Sequence, residues 1–302
     1  MSSPLLSGIL PVLPTIFDSS NKVDVAATRR VAEFARESGS HGAVFPGVAS
    51  EFNFLDLSER ATLVAAVGDV FKGKPFVVGA SADNVDDVVR MADSGAAAGA
   101  TAAMIMAPAS VGTEIPALVD FFGAIAGRSG LEIVLQNAPP PVGSGLSVET
   151  AGEVARQVPA IAYVKEEAMP PGPRITGLIN AAPGSLRGVI GGAGARHLYD
   201  ELDRGAIAAM PAVEIVDIHV KLYEAFKAGD RARAREIYIR TLPLLLVQLT
   251  FRMRLTKHVL AMRGFIEHPS VRAPLPAFDE KGIAELSMML DEIRDLFANE
   301  AA

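Results

Sequence analysis

The chain of 302 residues has no cysteine, so disulfides, thiolate nucleophiles and sulfur ligands for a metal are excluded together. Any chemistry runs on other groups. Histidine is scarce as well: His41, His197, His219, His258 and His268 are scattered without paired spacing. With no H-E-x-x-H and no carboxylate cluster, a metal centre is not expected. A Ser-His-Asp hydrolase finds no G-x-S-x-G to build on. No G-x-G-x-x-G follows the first apolar run, which counts against a doubly wound dinucleotide-binding sheet.

Basic clustering is also missing. The formal net charge is −7, and the densest basic run, DRARAREIYIR at 230–240, alternates with apolar residues at helical spacing, as a solvated helix face does. Nucleic acid is therefore not an expected partner. Long apolar segments are absent too: LPLLLVQLTF at 242–251 is too short to cross a bilayer. The start, MSSPLLSGILPVLP, lacks the basic residues and long apolar stretch of a secretory signal, so a cytoplasmic protein with no membrane partner is the expectation.

What remains is half apolar and about one-fifth charged, with 27 glycines and 20 prolines, the profile of an ordered chain with many turns. Eight short apolar runs recur: GILPVLPTIF from 8, GAVFPG from 42, PFVVGAS from 75, AAMIMAP from 102, EIVLQNAP from 132, IAYVKEE from 161, LRGVIGG from 186 and GAIAAMPA from 205. Between them lie segments of helical period, such as VAATRRVAEFARESG and NVDDVVRMADSGAAAG. Eight such alternations predict a (β/α)₈ TIM barrel over residues 1–225. From residue 226 onward the pattern is helix only, which predicts a C-terminal helical subdomain over 226–302.

Barrel active sites sit at the C-terminal ends of the strands. The residues closing the runs are Thr15, Ser50 and Glu51, Ser81, Gln136 and Asn137, Lys165 and Glu167, Gly191 and Gly192, then Pro211 and Glu214. Of eight lysines, Lys165 alone falls in a strand, while Lys221 and Lys257 fall on predicted helices where a stem can snorkel to water. Strand alternation puts Tyr163, Lys165 and Glu167 on one face and Val164 and Glu166 on the other. A lysine withdrawn from water escapes the desolvation cost by becoming a neutral, nucleophilic amine. Lys165 and Glu167 thus read either as a structural ion pair or as a nucleophile with a neighbouring acid/base. GVASEFNFLDLSER from 47 reads either as a turn whose backbone N–H groups hold a carboxylate or as a plain strand-to-helix turn capped by Asp56 or Ser58.

With these features the chain resembles, over nearly all its length, the dihydrodipicolinate synthase/N-acetylneuraminate lyase superfamily of class I aldolases and dehydratases. LPVLPTIFD at 10–18, GVASEFNFLDLSER at 47–60, VLQNAPP at 134–140, YVKEE at 163–167 and VRAPL at 271–275 carry the resemblance. It implies that Lys165 forms a Schiff base with a 2-keto acid, that no cofactor is needed beyond this imine, and that the turn Gly47, Val48, Ala49, Ser50 binds the substrate carboxylate. Homotetramers and dimers are common in the superfamily, so a homo-oligomer is expected.

The departures narrow the expectation. The usual Gly-Thr-Thr-Gly-Glu turn is Gly47, Val48, Ala49, Ser50 and Glu51 here. The strand-five tyrosine is Gln136, the second-substrate arginine is Pro141, and the tyrosine lent across subunits is Ser110. Gln136, Ser50-Glu51 and Glu167 together resemble the 2-keto-3-deoxy sugar-acid dehydratases, especially the L-2-keto-3-deoxyarabonate type. The expected activity is a Schiff-base lyase removing water from such an acid, with Lys165, Glu167 and Gln136 catalytic. Gly47, Val48, Ala49, Ser50, Asn137, Gly191 and Gly192 are the expected substrate-binding residues. Retro-aldol cleavage, condensation of the synthase type, and a catalytically silent keto-acid binder are the alternatives.

Overall fold

The computed structural model describes residues 5–298. Eight strands alternate with eight helices in chain order: β1 (Gly8–Ile9), α1 (Val25–Glu37), β2 (Ala43–Phe45), α2 (Leu57–Val70), β3 (Phe76–Gly79), α3 (Val85–Ala97), β4 (Ala102–Ile105), α4 (Ile115–Ala126), β5 (Glu132–Asn137), α5 (Val148–Gln157), β6 (Ile161–Glu166), α6 (Pro171–Ala181), β7 (Gly188–Gly191), α7 (Leu198–Asp203), β8 (Ala208–Ala209) and α8 (Val216–Lys227). All strands pair in parallel, with β1 beside β8. The remaining seam is closed at Val12, which bridges Val44 on one side and Ala212 on the other. This is the (β/α)₈ barrel predicted from the sequence.

Period-two alternation sorts the strand residues into two cores. Val44, Val77, Ala102, Met104, Val134, Ala162, Tyr163, Ile190, Ala208 and Met210 fill the inside of the barrel. The Tyr163 ring is fully buried there, and its hydroxyl accepts from the Leu6 N–H at 3.3 Å. Phe45, Val78, Ile105, Leu135, Val164 and Val189 face outward into the layer shared with the helices. The helices supply a matching stripe: in α1, Ala27, Val31, Ala32, Phe34 and Ala35 are buried, at the spacing one helical face requires. Their starts are fixed by side chains that cap free N–H groups, among them Asp24, Asp56, Asn84 and Ser147, each stabilising by about 1 kcal/mol.

Three further helices follow the barrel: α9 (Arg231–Phe251), α10 (Met253–Met262) and α11 (Glu280–Glu292). The eighth barrel helix runs to Lys227, so the alternation ends two residues past the predicted boundary at 225. Ala234, Ile237, Leu244, Leu245, Leu255, Val259 and Leu260 share one continuous core with the barrel helices. The C-terminal helices are thereby fastened down, and the corner between α9 and α10 lies over the mouth of the barrel. No helix among the described residues is long and apolar enough to cross a membrane.

Candidate active site

Alternation along β5 and β6 decides which end residues meet. Val134 and Tyr163 point into the barrel, so Gln136 and Lys165, two positions on, do the same, and they are direct partners in the sheet register. Lys165 Nζ lies 3.2 Å from Glu167 Oε1, with the two side chains 4% and 16% exposed. Gln136 donates from Nε2 to the other Glu167 oxygen at 2.6 Å. The three residues expected to be catalytic form one hydrogen-bonded group at the barrel mouth.

The same alternation turns Asn137 away. Its side chain faces outward, where its amide oxygen accepts from Leu146 N–H and its Nδ2 donates to Leu146 C=O and to Glu166 Oε2. Glu166 in turn accepts from Ala168 N–H and pairs with Arg174 at 3.2 Å. Asn137 anchors the loop after β5 and does not reach the site. Gly191 is corrected for the same reason: a Cβ there would lie 2.1 Å from Glu201 Oε2, behind the strand. At Gly192 a Cβ would lie 2.5 Å from Cγ of Glu167, so this glycine makes space for the carboxylate.

The loop after β7 finishes the Glu167 environment. Ala193, Gly194 and Ala195 have φ of 49°, 67° and 61°, a left-handed run that two alanines hold only at a cost in strain. It delivers the Ala193 N–H to Glu167 Oε1 at 3.2 Å. Burial alone would raise the Glu167 pKa, but the Lys165 charge and the donors from Gln136, Ala193 and Lys165 outweigh it, leaving the carboxyl below the ordinary glutamate range. Glu167 is therefore an ionised carboxylate held by three donors.

The turn after β2 is a short 3₁₀ segment, Val48–Ser50. Ser50 is fully buried, and its hydroxyl accepts from Gly47 N–H at 2.8 Å and donates to Leu13 C=O. This hydroxyl shapes the turn and is not free to hold substrate. Thr15 steadies it further by donating to Ser50 C=O at 2.8 Å. Among the described residues no acceptor meets the Val48 or Ala49 N–H, and both residues line the pocket. A pair of unoccupied N–H groups in such a turn is suited to a carboxylate.

Glu51 follows in left-handed conformation, φ 58°. Its carboxylate accepts from Lys257 Nζ at 2.6 Å and from the Arg272 and Ala273 N–H groups at 2.7 Å each. Lys257 is wholly buried and also lies over the Phe17 ring. The expectation that its stem snorkels to water is thus overturned: the pair ties the turn to α10 and to the segment VRAPL.

Above these groups opens a pocket of about 330 Å³, lined by Val48, Ala49, Lys165, Glu167 and Met210 and by the Pro139–Val142 loop. Arg196, Gln248, Arg252 and Thr256 complete its outer wall. Sequence reasoning missed this wall, because none of the four closes a strand. No group of three or more His, Asp or Glu residues among those described is placed to hold a metal.

A model of the dihydrodipicolinate synthetase family matches residues 5–293. The chain belongs to that family. An uncharacterized DapA-like lyase of Halobacterium salinarum is 30% identical over 95% of this chain and 94% of its own length. The L-2-keto-3-deoxyarabonate dehydratase of Azospirillum brasilense is 26% identical, over 94% of each chain. Among solved structures, the dihydrodipicolinate synthase of Rhodopseudomonas palustris superposes with a TM-score of 0.89, 24% identity and coverage of 97% of this chain and all of that one. Members of the family are lyases that work through a lysine imine and need no metal or external cofactor.

Proposed function

We propose that this family member dehydrates a 2-keto-3-deoxy sugar acid through an imine on Lys165. The observation that carries the reading is the Lys165–Glu167–Gln136 group, in which an amide stands where a phenol would relay protons for condensation. In this mechanism Lys165 attacks the keto carbon, water leaves, and the protonated imine becomes an electron sink. Glu167, already ionised, removes a proton from the neighbouring carbon to give the enamine. The same carboxyl, now protonated, gives that proton to the hydroxyl on the next carbon, which departs as water. A second water hydrolyses the imine and restores Lys165, so one carboxylate serves as base and then acid.

The Val48 and Ala49 N–H groups would hold the substrate carboxylate, and Gln136 would keep Glu167 aimed at the reacting carbons. Gly47 supports the turn, and Gly192 leaves Glu167 its space. Condensation of pyruvate with aspartate semialdehyde is disfavoured, because Pro141 in the pocket wall offers no donor to a second carboxylate. The test is borohydride reduction in the presence of pyruvate, followed by peptide mapping. The expected result is an adduct on Lys165 that Lys165→Ala abolishes, together with turnover of a keto-deoxy acid without release of pyruvate. Absence of any adduct with small 2-keto acids would leave a silent binder, and pyruvate release would mean retro-aldol cleavage.

A further inference from the structure

The outer wall of the pocket carries more positive charge than the imine chemistry uses. Lys165, Arg196 and Arg252 line it, and Glu167 is the only acidic side chain among the described lining residues. The excess stands out in a chain whose formal net charge is −7. Arg196 is aimed by Gln248, whose Oε1 accepts from its Nη1 at 3.3 Å. Gln248 is fixed in turn by donating to the buried Glu214. Burial lowers the Arg196 pKa, Glu167 raises it, and Arg252 lowers it again, so the two guanidinium charges lie close enough to repel each other.

No carboxylate among the described residues pairs with either side chain at ion-pair distance. Glu201, behind β7, is pushed by burial up to about 8 and is uncharged at neutral pH. Arg252 also holds φ 49°, a left-handed backbone at the α9–α10 corner that only a specific placement repays. Among the described residues five non-glycine positions have positive φ, and two of them, Ala193 and Arg252, line this pocket. Two guanidinium groups on one pocket wall with no ion-pair partner among the described residues are a ready receptor for an oxyanion.

We propose that Arg196 and Arg252 form a subsite for a second negatively charged group, carboxylate or phosphate, at the far end of the keto acid. The inference rests on the reading that Lys165 holds that acid as an imine with its first carboxylate on Val48 and Ala49. Those N–H groups follow β2, whereas Arg196 follows β7 and Arg252 tops the α9–α10 corner, so separate elements bring the two anion sites to one pocket. Charge supports the count. With the imine cationic and Glu167 anionic, a monoanionic substrate leaves the pocket at +1 and a dianion brings it to zero. The cation that the synthases carry in the loop of Pro141 is thus supplied here from another part of the barrel.

The experiment compares half-saturation of borohydride trapping on Lys165 by 2-oxoadipate and by 2-oxohexanoate, equal in chain length but differing in terminal charge. The dianion is expected to saturate roughly 10- to 100-fold lower, the range of a charge-assisted hydrogen bond. Arg252→Gln should erase that preference, read as the ratio of the two half-saturations within the variant. Arg252→Lys, which keeps the charge but loses the fork, should fall between, an ordering a merely structural role would not give. Equal half-saturation for the two acids overturns the subsite and leaves the imine reading standing. If neither acid is trapped, the imine reading fails, and calorimetry with glutarate and with inorganic phosphate decides the subsite alone. Binding weakened roughly 10-fold or more in Arg252→Gln upholds it, with the tighter ligand naming the terminal group; equal or absent binding overturns it.

Discussion

Glu51 Oε1 lies 2.6 Å from Lys257 Nζ, with neither side chain exposed to solvent. The two residues are 206 positions apart, and their bond pins the turn proposed to hold the substrate carboxylate to the helices that roof the pocket. Removing one partner leaves an uncompensated buried charge, which costs about 3–5 kcal/mol. Lys257→Met is therefore expected to lower urea stability by that amount, whereas Glu51→Leu combined with Lys257→Met should regain part of it. Two single variants within about 0.5 kcal/mol of wild type would show the pair to be dispensable.

Ser50 acts on the turn from beneath. Ser50→Ala removes the acceptor of the Gly47 N–H and the donor to Leu13 C=O, so the Val48 and Ala49 N–H groups lose their alignment. Since those groups are proposed to grip a carboxylate present in both substrate and transition state, the loss should fall on KM. A rise of about 10-fold in KM, with kcat changed less than about threefold, is the expected result. Steady-state kinetics with the purified variant checks it, and a fall confined to kcat would place Ser50 in the chemistry instead.

How far the sequence could be read follows from which distances along the chain matter. The barrel was legible because alternation is local, and Lys165, Glu167 and Gln136 were legible because β5 and β6 are neighbours in the sheet. Asn137 and Gly191 close their strands as site residues do, yet the same alternation sends both outward, toward Glu166 and Glu201. Lys257 looked like a surface helix lysine because its partner Glu51 is remote in sequence. Arg196 and Arg252 sit in a loop and at a helix corner, where no period marks direction, so only the folded chain brings them to the pocket.

Glu201 gives the fold a pH dependence of definite sign. Both its carboxyl oxygens are buried without a hydrogen-bond partner among the described residues, and burial raises its pKa from 4.5 to about 8. Between those values the folded chain binds a proton that the unfolded chain does not. Its contribution is full below pH 4.5 and is lost as pH rises through 8. Glu201→Gln keeps the shape and cannot ionise. The variant should match wild type in unfolding free energy near pH 5 and exceed it near pH 9, by on the order of 1–3 kcal/mol, as denaturant titrations at the two pH values would show. Parallel curves for the two proteins across that range would mean that Glu201 finds a partner or water on ionising.

Glu167, the proposed base, is expected to set the acid limb of activity. Since Lys165, Gln136 and Ala193 hold its carboxyl below the ordinary glutamate range, the base form persists under mildly acidic conditions, and the midpoint of the acid limb of kcat/KM should lie below the ordinary glutamate value. Gln136→Leu removes one donor to the ionised form, so the limb should move upward while imine trapping on Lys165 survives. Glu167→Gln should lower turnover roughly 10²-fold or more, the span of general acid–base catalysis, again with trapping retained. The decisive measurement is the pH profile of kcat/KM for wild type and both variants, each recovered and re-assayed at neutral pH to set aside unfolding. A limb that Gln136→Leu leaves in place would mean the amide does not govern this proton. Near-wild-type turnover in Glu167→Gln would remove Glu167 from the reaction and the dehydration mechanism with it.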